Sequence, residues 1–168
     1  MKNFSWHPMR EDDLPEIDQI MQQTYPHLPE DIDCIRERVR LFPQGCYVLR
    51  QDEQDTILGY IISHPWENRR IPPLSSLLGS LPFSAEVYYI HDIALLPAAQ
   101  GIGAARAVLA QLSQVARSLY INKFALVALD TANEFWRARG FRAIYEDALK
   151  EKLMTYGPGA NYMQRGVD

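Results

Sequence analysis

VYYIHDIALLPAAQGIGAARAVL, residues Val87 to Leu109, is the stretch of this sequence that decides the fold. It predicts an apolar strand from Val87 to Leu96, a break at Pro97, a tight turn at residues 101–103 and then an amphipathic helix. The first amides of a helix have no partner inside it, and the aligned peptide dipoles add about half a positive charge there. The two glycines of the turn let that backbone approach an anion without a Cβ in the way. The stretch therefore predicts a binding site for a phosphorylated cofactor.

Further apolar runs place this unit in the middle of a larger sheet. The predicted strands before it are Phe4–Met9, Cys46–Arg50 and Thr56–Ser63, and those after it are Phe124–Leu129, Phe141–Tyr145 and Asn161–Gln164. The predicted helices are one through Ile17, Ile20 and Met21 with Asp12 or Asp13 at its N-cap, one at Ile32–Phe42, one from the glycine turn to about Leu119, and one near Ala132. The order is β-α-α-β-β-β-α-β-α-β-β, a mixed α/β sheet with one parallel crossover in its middle.

Length and composition set the broad class of protein. With 168 residues, 47% of them apolar and 23% charged, the chain predicts a single globular domain over residues 1–168. A net charge of −4 argues against a nucleic-acid partner, since such partners select a basic face. Cys34 and Cys46 have no second cysteine pair, so neither a zinc site nor a disulfide framework is indicated and no metal ligand is predicted. No apolar run approaches the roughly 20 residues that cross a bilayer, so we expect a cytoplasmic protein without a membrane partner.

The glycine turn is similar to a motif of one enzyme family. The GNAT superfamily of N-acetyltransferases carries a strand followed by a (Q/R)-x-x-G-x-(G/A) turn that holds the pyrophosphate of acetyl-CoA. Here the six positions read AAQGIG, with Ala98 in place of the leading Gln or Arg and both glycines present. The resemblance implies that the backbone of six residues binds the cofactor: Gln100, Gly101, Ile102, Gly103, Ala104 and Ala105.

A second stretch, TANEFWRARGF at residues 131–141, resembles the A-x-x-F-Y-x-x-x-G-F helix and turn of the same family. The match runs through Ala132, Phe135, Gly140 and Phe141. The resemblance implies cofactor contacts from Asn133 and from Trp136, which replaces a tyrosine that in many relatives points at the CoA sulfur. An indole N–H donates a hydrogen bond but does not act as a proton acid near neutral pH, so the usual acid of the family is absent here.

Membership in this family would imply a reaction and a fold. The reaction is direct transfer of an acetyl group from acetyl-CoA to the primary amine of a small molecule or a peptide. In the fold, the two central parallel strands splay apart and the pantetheine arm lies between them, bonded to strand backbone. That arrangement implicates Ile93, Ala94 and Leu95, with a nearby backbone N–H placed for the developing oxyanion.

Two neighbouring residues of the central strand are the predicted catalytic pair of candidates, His91 and Asp92. Either could accept the proton of the amine, and Asp92 could instead anchor it. Adjacent strand positions face opposite sides of a sheet, so we expect the two not to act together. Glu86 is a third candidate base and Tyr162 a candidate donor to the thiolate. The remaining histidines, His7, His27 and His64, are predicted to lie in loops.

Residues 64–85 form a long, apolar and proline-rich segment before the central strand. Its length exceeds the usual connection of about 4–6 residues, and long loops often line binding sites. Two compatible interpretations stay open: a packed cover over the sheet, and one wall of the acceptor pocket. Tyr88, Tyr89 and Trp136 could line the same pocket or pack in the core.

Other classes of protein share parts of this pattern. A NAD-dependent oxidoreductase also has a strand, a Gly-x-Gly turn and a helix, but Arg106 stands where its third glycine would be. A P-loop nucleotidase is excluded because no G-K-(S/T) follows the turn. A GNAT-like protein that binds acyl-CoA as a sensor without turnover stays open, as does an acyl donor longer than acetyl. The sequence identifies neither the acceptor amine nor the oligomeric state.

Overall fold

The computed structural model describes residues 3–28 and 30–168. Its strands are β1 (Phe4–Pro8), β2 (Cys46–Gln51), β3 (Thr56–Trp66), β4 (Val87–Leu95), β5 (Lys123–Ala128), β6 (Arg142–Ala143) and β7 (Asn161–Gly166). Its helices are α1 (Leu14–Thr24), α2 (Ile32–Leu41), α3 (Ala104–Ser118), α4 (Asn133–Arg137) and α5 (Asp147–Thr155). The predicted order is thus present, with the helix α5 added before the last strand.

The strands of the described residues form one sheet in the order β1-β2-β3-β4-β5-β7-β6. β4 and β5 are parallel neighbours connected through α3, and the other neighbouring pairs in this part of the chain are antiparallel. The predicted mixed α/β sheet with a central parallel crossover is therefore confirmed. The parallel register runs from Tyr88 opposite Phe124 to Ile90 opposite Leu126 and ends there. Beyond it the carboxyl ends of β4 and β5 splay apart, as predicted.

Helices cover both faces of the sheet because each carries an apolar stripe. Neighbouring residues of a strand point to opposite faces. Tyr60 of β3 accordingly belongs to the core under α1 and α2, whereas the next residue, Ile61, belongs to the core under α3. α3 contributes Val108, Leu112 and Ala116 to its core, and α1 and α2 contribute Ile17, Met21 and Ile35 to theirs. Full burial of a valine, leucine, isoleucine or methionine side chain stabilises the fold by about 1.5–3 kcal/mol.

β3 is longer than the sequence predicts. It continues through Trp66, so His64 lies in a strand and is fully buried rather than in a loop. His7, also expected in a loop, lies in β1 opposite Val48. The extension is possible because residues 63–66 pair with β4 alone, past the end of β2. Pro65 has no N–H to donate, and at this position no strand on the β2 side needs one.

The helix α5 lies in a segment for which the sequence predicts no regular element. It buries Leu149, and Tyr156 just after its end is also buried, so its spacing of apolar residues is too sparse to indicate a helix. Leu149 and Tyr156 pack with Trp66, Tyr89 and Tyr162. Across residues 3–28 and 30–168 no helix has the length and hydrophobicity needed to traverse a bilayer.

Candidate functional site

The splay between β4 and β5 opens into a cleft that is continuous with the solvent. One side is built from β4, the end of β5 and α4, and the other from the end of α1, the segment before α2 and residue Leu74. The lining residues are Met21, Tyr25, Leu28, Glu30, Leu74, Ile90, His91, Asp92, Ile93, Leu126, Val127, Leu129, Thr131, Ala132, Trp136 and Tyr156.

A β-bulge in β4 brings His91 and Asp92 to this same cleft. Asp92 pairs with Ile62 and Ile90 pairs with Ser63, which leaves His91 as an extra residue without a partner on β3. Such an extra residue shifts the alternation of side chains along the strand. The expectation that the two side chains face opposite sides of the sheet is therefore wrong, because it assumes regular alternation.

Asp92 is held by a tyrosine and has an unusual proton affinity. The hydroxyl of Tyr60 donates to Oδ2 of Asp92 at 2.6 Å. Burial raises the pKa of Asp92 to about 6, while the positive charge of His91 and the Tyr60 hydrogen bond act in the opposite direction and limit the rise. A carboxylate with a pKa near the working pH suits general acid–base catalysis.

His91 is paired with Glu30, a residue that the sequence does not single out. Its Nε2 lies 2.7 Å from Oε2 of Glu30, and the side chains are 3% and 7% exposed. Burial alone would raise the pKa of Glu30, but the charges of His91 and Arg38 outweigh it and lower this pKa to about 2. An ionised Glu30 requires a proton on Nε2 of His91. No local pattern indicates the pair, since the two residues are 61 positions apart.

Two tyrosines of the cleft are also missing from the sequence-based candidates. Tyr25 donates its hydroxyl to the carbonyl of Ile93 at 2.6 Å, and Tyr156 donates to the carbonyl of Pro72. Burial raises the pKa of both phenols, and the charge of Asp92 adds to the effect on the pKa of Tyr25. Both hydroxyls therefore stay protonated near neutral pH.

The glycine turn has the geometry of an anion site. Gly101 and Gly103 have φ values of +74° and +81°, which favour glycine, and the space where a Cβ would stand is open at both. The hydrogen bond from the N–H of Ala107 to the carbonyl of Gly103 begins the helix ladder of α3. The amides of residues 101–106 precede that bond and have no acceptor among the described residues. Their free N–H groups and the open approach fit a phosphate group.

The start of α3, directly after this turn, is hydrogen-bonded to β1. The indole Nε1 of Trp6 donates to the carbonyl of Ala104, in the first turn of α3, at 2.9 Å. The side-chain amide of Gln100 donates to the carbonyl of Leu95 at 3.0 Å and ties the turn to the end of β4. The turn is thus anchored to two strands of the sheet.

Sequence comparison identifies the family of this fold and turn. The model of the acetyltransferase (GNAT) family matches residues 6–141. The chain belongs to the GNAT acetyltransferase family. The match contains the glycine turn, the cleft residues of β4 and the start of α4. No curated protein matches the sequence significantly.

Several solved structures have the same fold. The loading GNATL domain of CurA from Lyngbya majuscula is 16% identical, with a TM-score of 0.74 over 99% of this chain and 98% of that one. Ard1 from Thermoplasma volcanium is 14% identical, with a TM-score of 0.70 over 98% of both chains. Rv2747 from Mycobacterium tuberculosis, in complex with CoA and NLQ, is 20% identical, with a TM-score of 0.68 over 98% of this chain and 99% of that one. At such identities the likeness shows the fold and not the reaction.

The two α4 residues matched to the second GNAT motif have different environments. The side-chain amide of Asn133 donates to the carbonyl of Gly159 at 2.9 Å, and its oxygen accepts from Asn161 at 3.0 Å. These bonds join the start of α4 to the start of β7. Trp136 lines the cleft and packs edge-on against Phe135 and Phe141. Cofactor contacts from Asn133 and Trp136 stay predictions.

The β4 residues predicted to bind pantetheine are placed along the splayed edge. Ile93 lines the cleft, and Ala94 and Leu95 pair with Tyr60 and Gly59 of β3. Their role in this GNAT protein stays a prediction.

Two lesser candidates lie outside the cleft. The carboxylate of Glu86 accepts from the N–H of Asn68 at 3.3 Å. Tyr162 is fully buried and its hydroxyl accepts from the N–H of Arg69 at 3.0 Å. Neither is among the residues that line the cleft.

Proposed function

We propose that this protein transfers an acetyl group from acetyl-CoA to a primary amine that enters the cleft beside Asp92. The observation that carries the proposal is the placement of Asp92, a carboxylate with a pKa of about 6 at the point where β4 and β5 separate. The glycine turn, whose free amides fit a phosphate group, follows on the same stretch of chain. One continuous unit thus offers a donor site and a base.

The donor site would be formed by the free amides of residues 101–105, with Asn133, Trp136 and the splayed edge of β4 along the rest of the molecule. The N–H of Gln100, which the resemblance includes in this set, already donates to the carbonyl of Pro97 at 3.2 Å. Bound acetyl-CoA would supply an activated thioester carbonyl and a leaving thiolate with a pKa of about 8.5, like that of cysteine. Such a thiolate departs at modest cost without an acid. The replacement of the family's tyrosine by Trp136 is therefore compatible with turnover.

Asp92 has two tasks in this scheme. In its ionised form it attracts the ammonium form of the incoming amine. The amine attacks after losing one proton to solvent, and its nitrogen becomes much more acidic once it is bonded to carbon, so that a carboxylate with a pKa of about 6 can take the second proton. Tyr60 fixes the orientation of the carboxylate through its 2.6 Å hydrogen bond.

His91 has a supporting task and is also the alternative base. Its charge, stabilised by Glu30, lowers the pKa of the neighbouring Asp92 and so keeps that carboxylate ionised at neutral pH. In its neutral form, with the proton on Nε2 facing Glu30, His91 instead offers Nδ1, which has no partner among the described residues, and a bound amine that reaches Nδ1 can give its proton there.

The experiment is a thiol-release assay with acetyl-CoA and a panel of primary amines, paired with calorimetric titration of CoA. We expect CoA to bind and CoA thiol to be released with at least one amine. Asp92→Asn should bind CoA as the wild type does and lower kcat/KM by roughly 10²–10⁴-fold, the usual contribution of a general base. Asp12→Asn, which alters an exposed carboxylate outside the cleft, is the matched control and should keep full activity.

Two results would overturn the proposal. CoA binding without thiol release from any amine would make the protein an acyl-CoA-binding module, the candidate that Trp136 favours. Failure to bind CoA would remove the donor site altogether.

A further inference from the structure

The ionisable side chains that line the cleft are mostly acidic. Among the lining residues in the described ranges, the carboxylates are Glu30 and Asp92, the one basic side chain is His91, and none is lysine or arginine. His91 is already paired with Glu30 at 2.7 Å. The charge left facing a ligand is therefore the negative charge of Asp92.

The arginine whose charge acts on this region does not line the cleft. Arg38 of α2 is fully buried, and its Nη1 donates to the carbonyls of Cys34 at 3.1 Å and Ser76 at 3.3 Å. Its charge already contributes to the low pKa of Glu30. Nε and Nη2 of Arg38 have no partner among the described residues, but both atoms are buried. A carboxylate of a ligand in the cleft would thus find no exposed cation to pair with.

Apolar side chains and aromatic rings form much of the rest of the cleft lining. They include Met21, Leu28 and Leu74, together with the rings of Trp136 and Tyr156. Leu74 belongs to the loop of residues 67–86, which is fastened to α2. The carboxylate of Glu37 accepts from the N–H groups of Leu78 at 2.6 Å and Gly79 at 3.0 Å. This wall is therefore formed before a ligand arrives, as in sites for small molecules.

We infer that the acceptor is a small apolar primary amine with no carboxylate next to its nitrogen, an alkylamine or an aralkylamine rather than an α-amino acid. This inference rests on the proposed function. Asp92 attracts the ammonium group of an amine. In an α-amino acid the carboxylate is attached next to that ammonium group, so binding would bring it close to the negative charge of Asp92, with no cation to pair with. Burying an unpaired charge is strongly unfavourable, so the site selects by repulsion as well as by attraction.

The test compares three matched amines: phenethylamine, L-phenylalaninamide and L-phenylalanine. They share the ring, and the last differs from the second by its carboxylate. Thiol release with acetyl-CoA gives kcat/KM for each, expressed per neutral amine because the three ionise differently. We expect phenethylamine and the amide to agree within about ten-fold and phenylalanine to be lower by roughly 100-fold, about 2.7 kcal/mol. Equal or better use of phenylalanine would overturn the inference while leaving the proposed function standing.

A binding measurement keeps the inference testable without turnover. Calorimetric titration of the three amines into the CoA complex should rank them in the same order, and tighter binding of phenylalanine would overturn the inference even if no thiol is released. In Asp92→Asn the preference for the amide over phenylalanine should shrink at least roughly ten-fold, because the repelling charge is gone. Asp12→Asn should keep the preference, and an unchanged preference in Asp92→Asn would count against the inference.

A peptide acceptor is the remaining competitor. A tripeptide amide with an N-terminal phenylalanine should be used less well than phenethylamine. A kcat/KM ten-fold above that of phenethylamine would overturn the assignment to small amines.

Discussion

Nε2 of His91 lies 2.7 Å from Oε2 of Glu30, and the charge of His91 lowers the pKa of both carboxylates that line the cleft. The charge on His91 helps to lower the pKa of Glu30 to about 2. The neighbouring Asp92, buried and partnered by a neutral phenol, has a pKa of about 6. When their surroundings give two nearby carboxylates very different pKa values, the two groups have different roles. Glu30 is a permanent counter-ion, and Asp92 is a group that can exchange a proton near neutral pH.

The first prediction concerns the pH dependence of turnover. We expect kcat/KM to rise with pH through a limb near pH 6, where Asp92 loses its proton. In His91→Gln the limb should move up by about one pH unit, because burial then acts on Asp92 without the opposing positive charge. Tyr60→Phe should shift it in the same direction. The ionisation of the amine substrate is the same in all the pH profiles. A shift of the limb between variants therefore comes from the protein. Loss of the limb in His91→Gln would identify His91 as the base.

A second prediction is that Asp92→Asn stabilises the protein at pH 7.5. A folded-state pKa raised from 3.8 to about 6 means that the ionised carboxylate opposes folding, with the full effect above pH 6 and none below pH 3.8. After allowance for cleft solvent, the gain in the free energy of unfolding should be about 1–3 kcal/mol at pH 7.5. Urea denaturation at pH 7.5 and 4 measures it. A variant that is less stable than the wild type at pH 7.5 would contradict the raised pKa.

Glu30 should have the opposite effect on stability. Its folded pKa is lowered from 4.5 to about 2, so the ionised form stabilises the fold above pH 4.5, and this contribution is lost as the pH falls toward 2. Glu30→Gln should therefore reduce the free energy of unfolding by about 2–3 kcal/mol at pH 6 and by much less at pH 2.5. Thermal denaturation at the two pH values gives the comparison. A deficit that stays constant with pH would mean that packing, and not charge, is what the substitution removes.

The glycine turn gives a matched pair of substitutions. Gly103→Ala places a Cβ where the turn is open to a ligand, at a φ of +81°. Gly79→Ala in the loop of residues 67–86 has nearly the same φ, +78°, and equally open space. Both should lower the free energy of unfolding by about 1–2 kcal/mol through backbone strain. Calorimetry should show CoA affinity reduced at least roughly ten-fold in Gly103→Ala and unchanged in Gly79→Ala. Equal affinities in the two variants would remove the phosphate site from this turn.

Trp6 should influence the cofactor without touching it. Trp6→Phe removes the hydrogen bond to the carbonyl of Ala104 and keeps most of the packing. The expected loss is about 1 kcal/mol of stability, because one hydrogen bond to the backbone is removed. CoA affinity should fall only a few-fold, since the residue before the glycine turn is still tied to β4 by the bond from Gln100 to Leu95. A loss of CoA affinity as large as that of Gly103→Ala would mean that Trp6 contacts the cofactor directly.

Much of the fold follows from the sequence because its signals are local. The apolar run of β4, the turn at Gly101 and Gly103, and the spacing of Val108 and Leu112 along α3 each depend on residues close together in the chain. A strand, a tight turn and an amphipathic helix are decided over such short distances. The helix α5 escapes prediction for the same reason, since apart from Leu149 its side chains give little apolar spacing to detect.

The composition of the cleft could not be predicted from the sequence. Three of its lining residues come from segments far away in the sequence: Tyr25, Glu30 and Tyr156. No periodicity in the sequence indicates that they line the same cleft as His91 and Asp92. The bulge that turns His91 and Asp92 to the same cleft is a property of the register between β3 and β4. Register depends on how two strands pair, so it cannot be read from either strand alone.

The sequence by itself thus determined the mixed sheet, its parallel centre and the glycine turn, because short-range spacing and backbone freedom decide them. Only the tertiary structure decided which carboxylate is poised to exchange a proton. That property comes from burial at the splay, from the charge of His91 and from the hydroxyl of Tyr60, which is 32 positions away from Asp92. A pKa is set by what surrounds a group in space, and that surrounding exists only once the strands have paired.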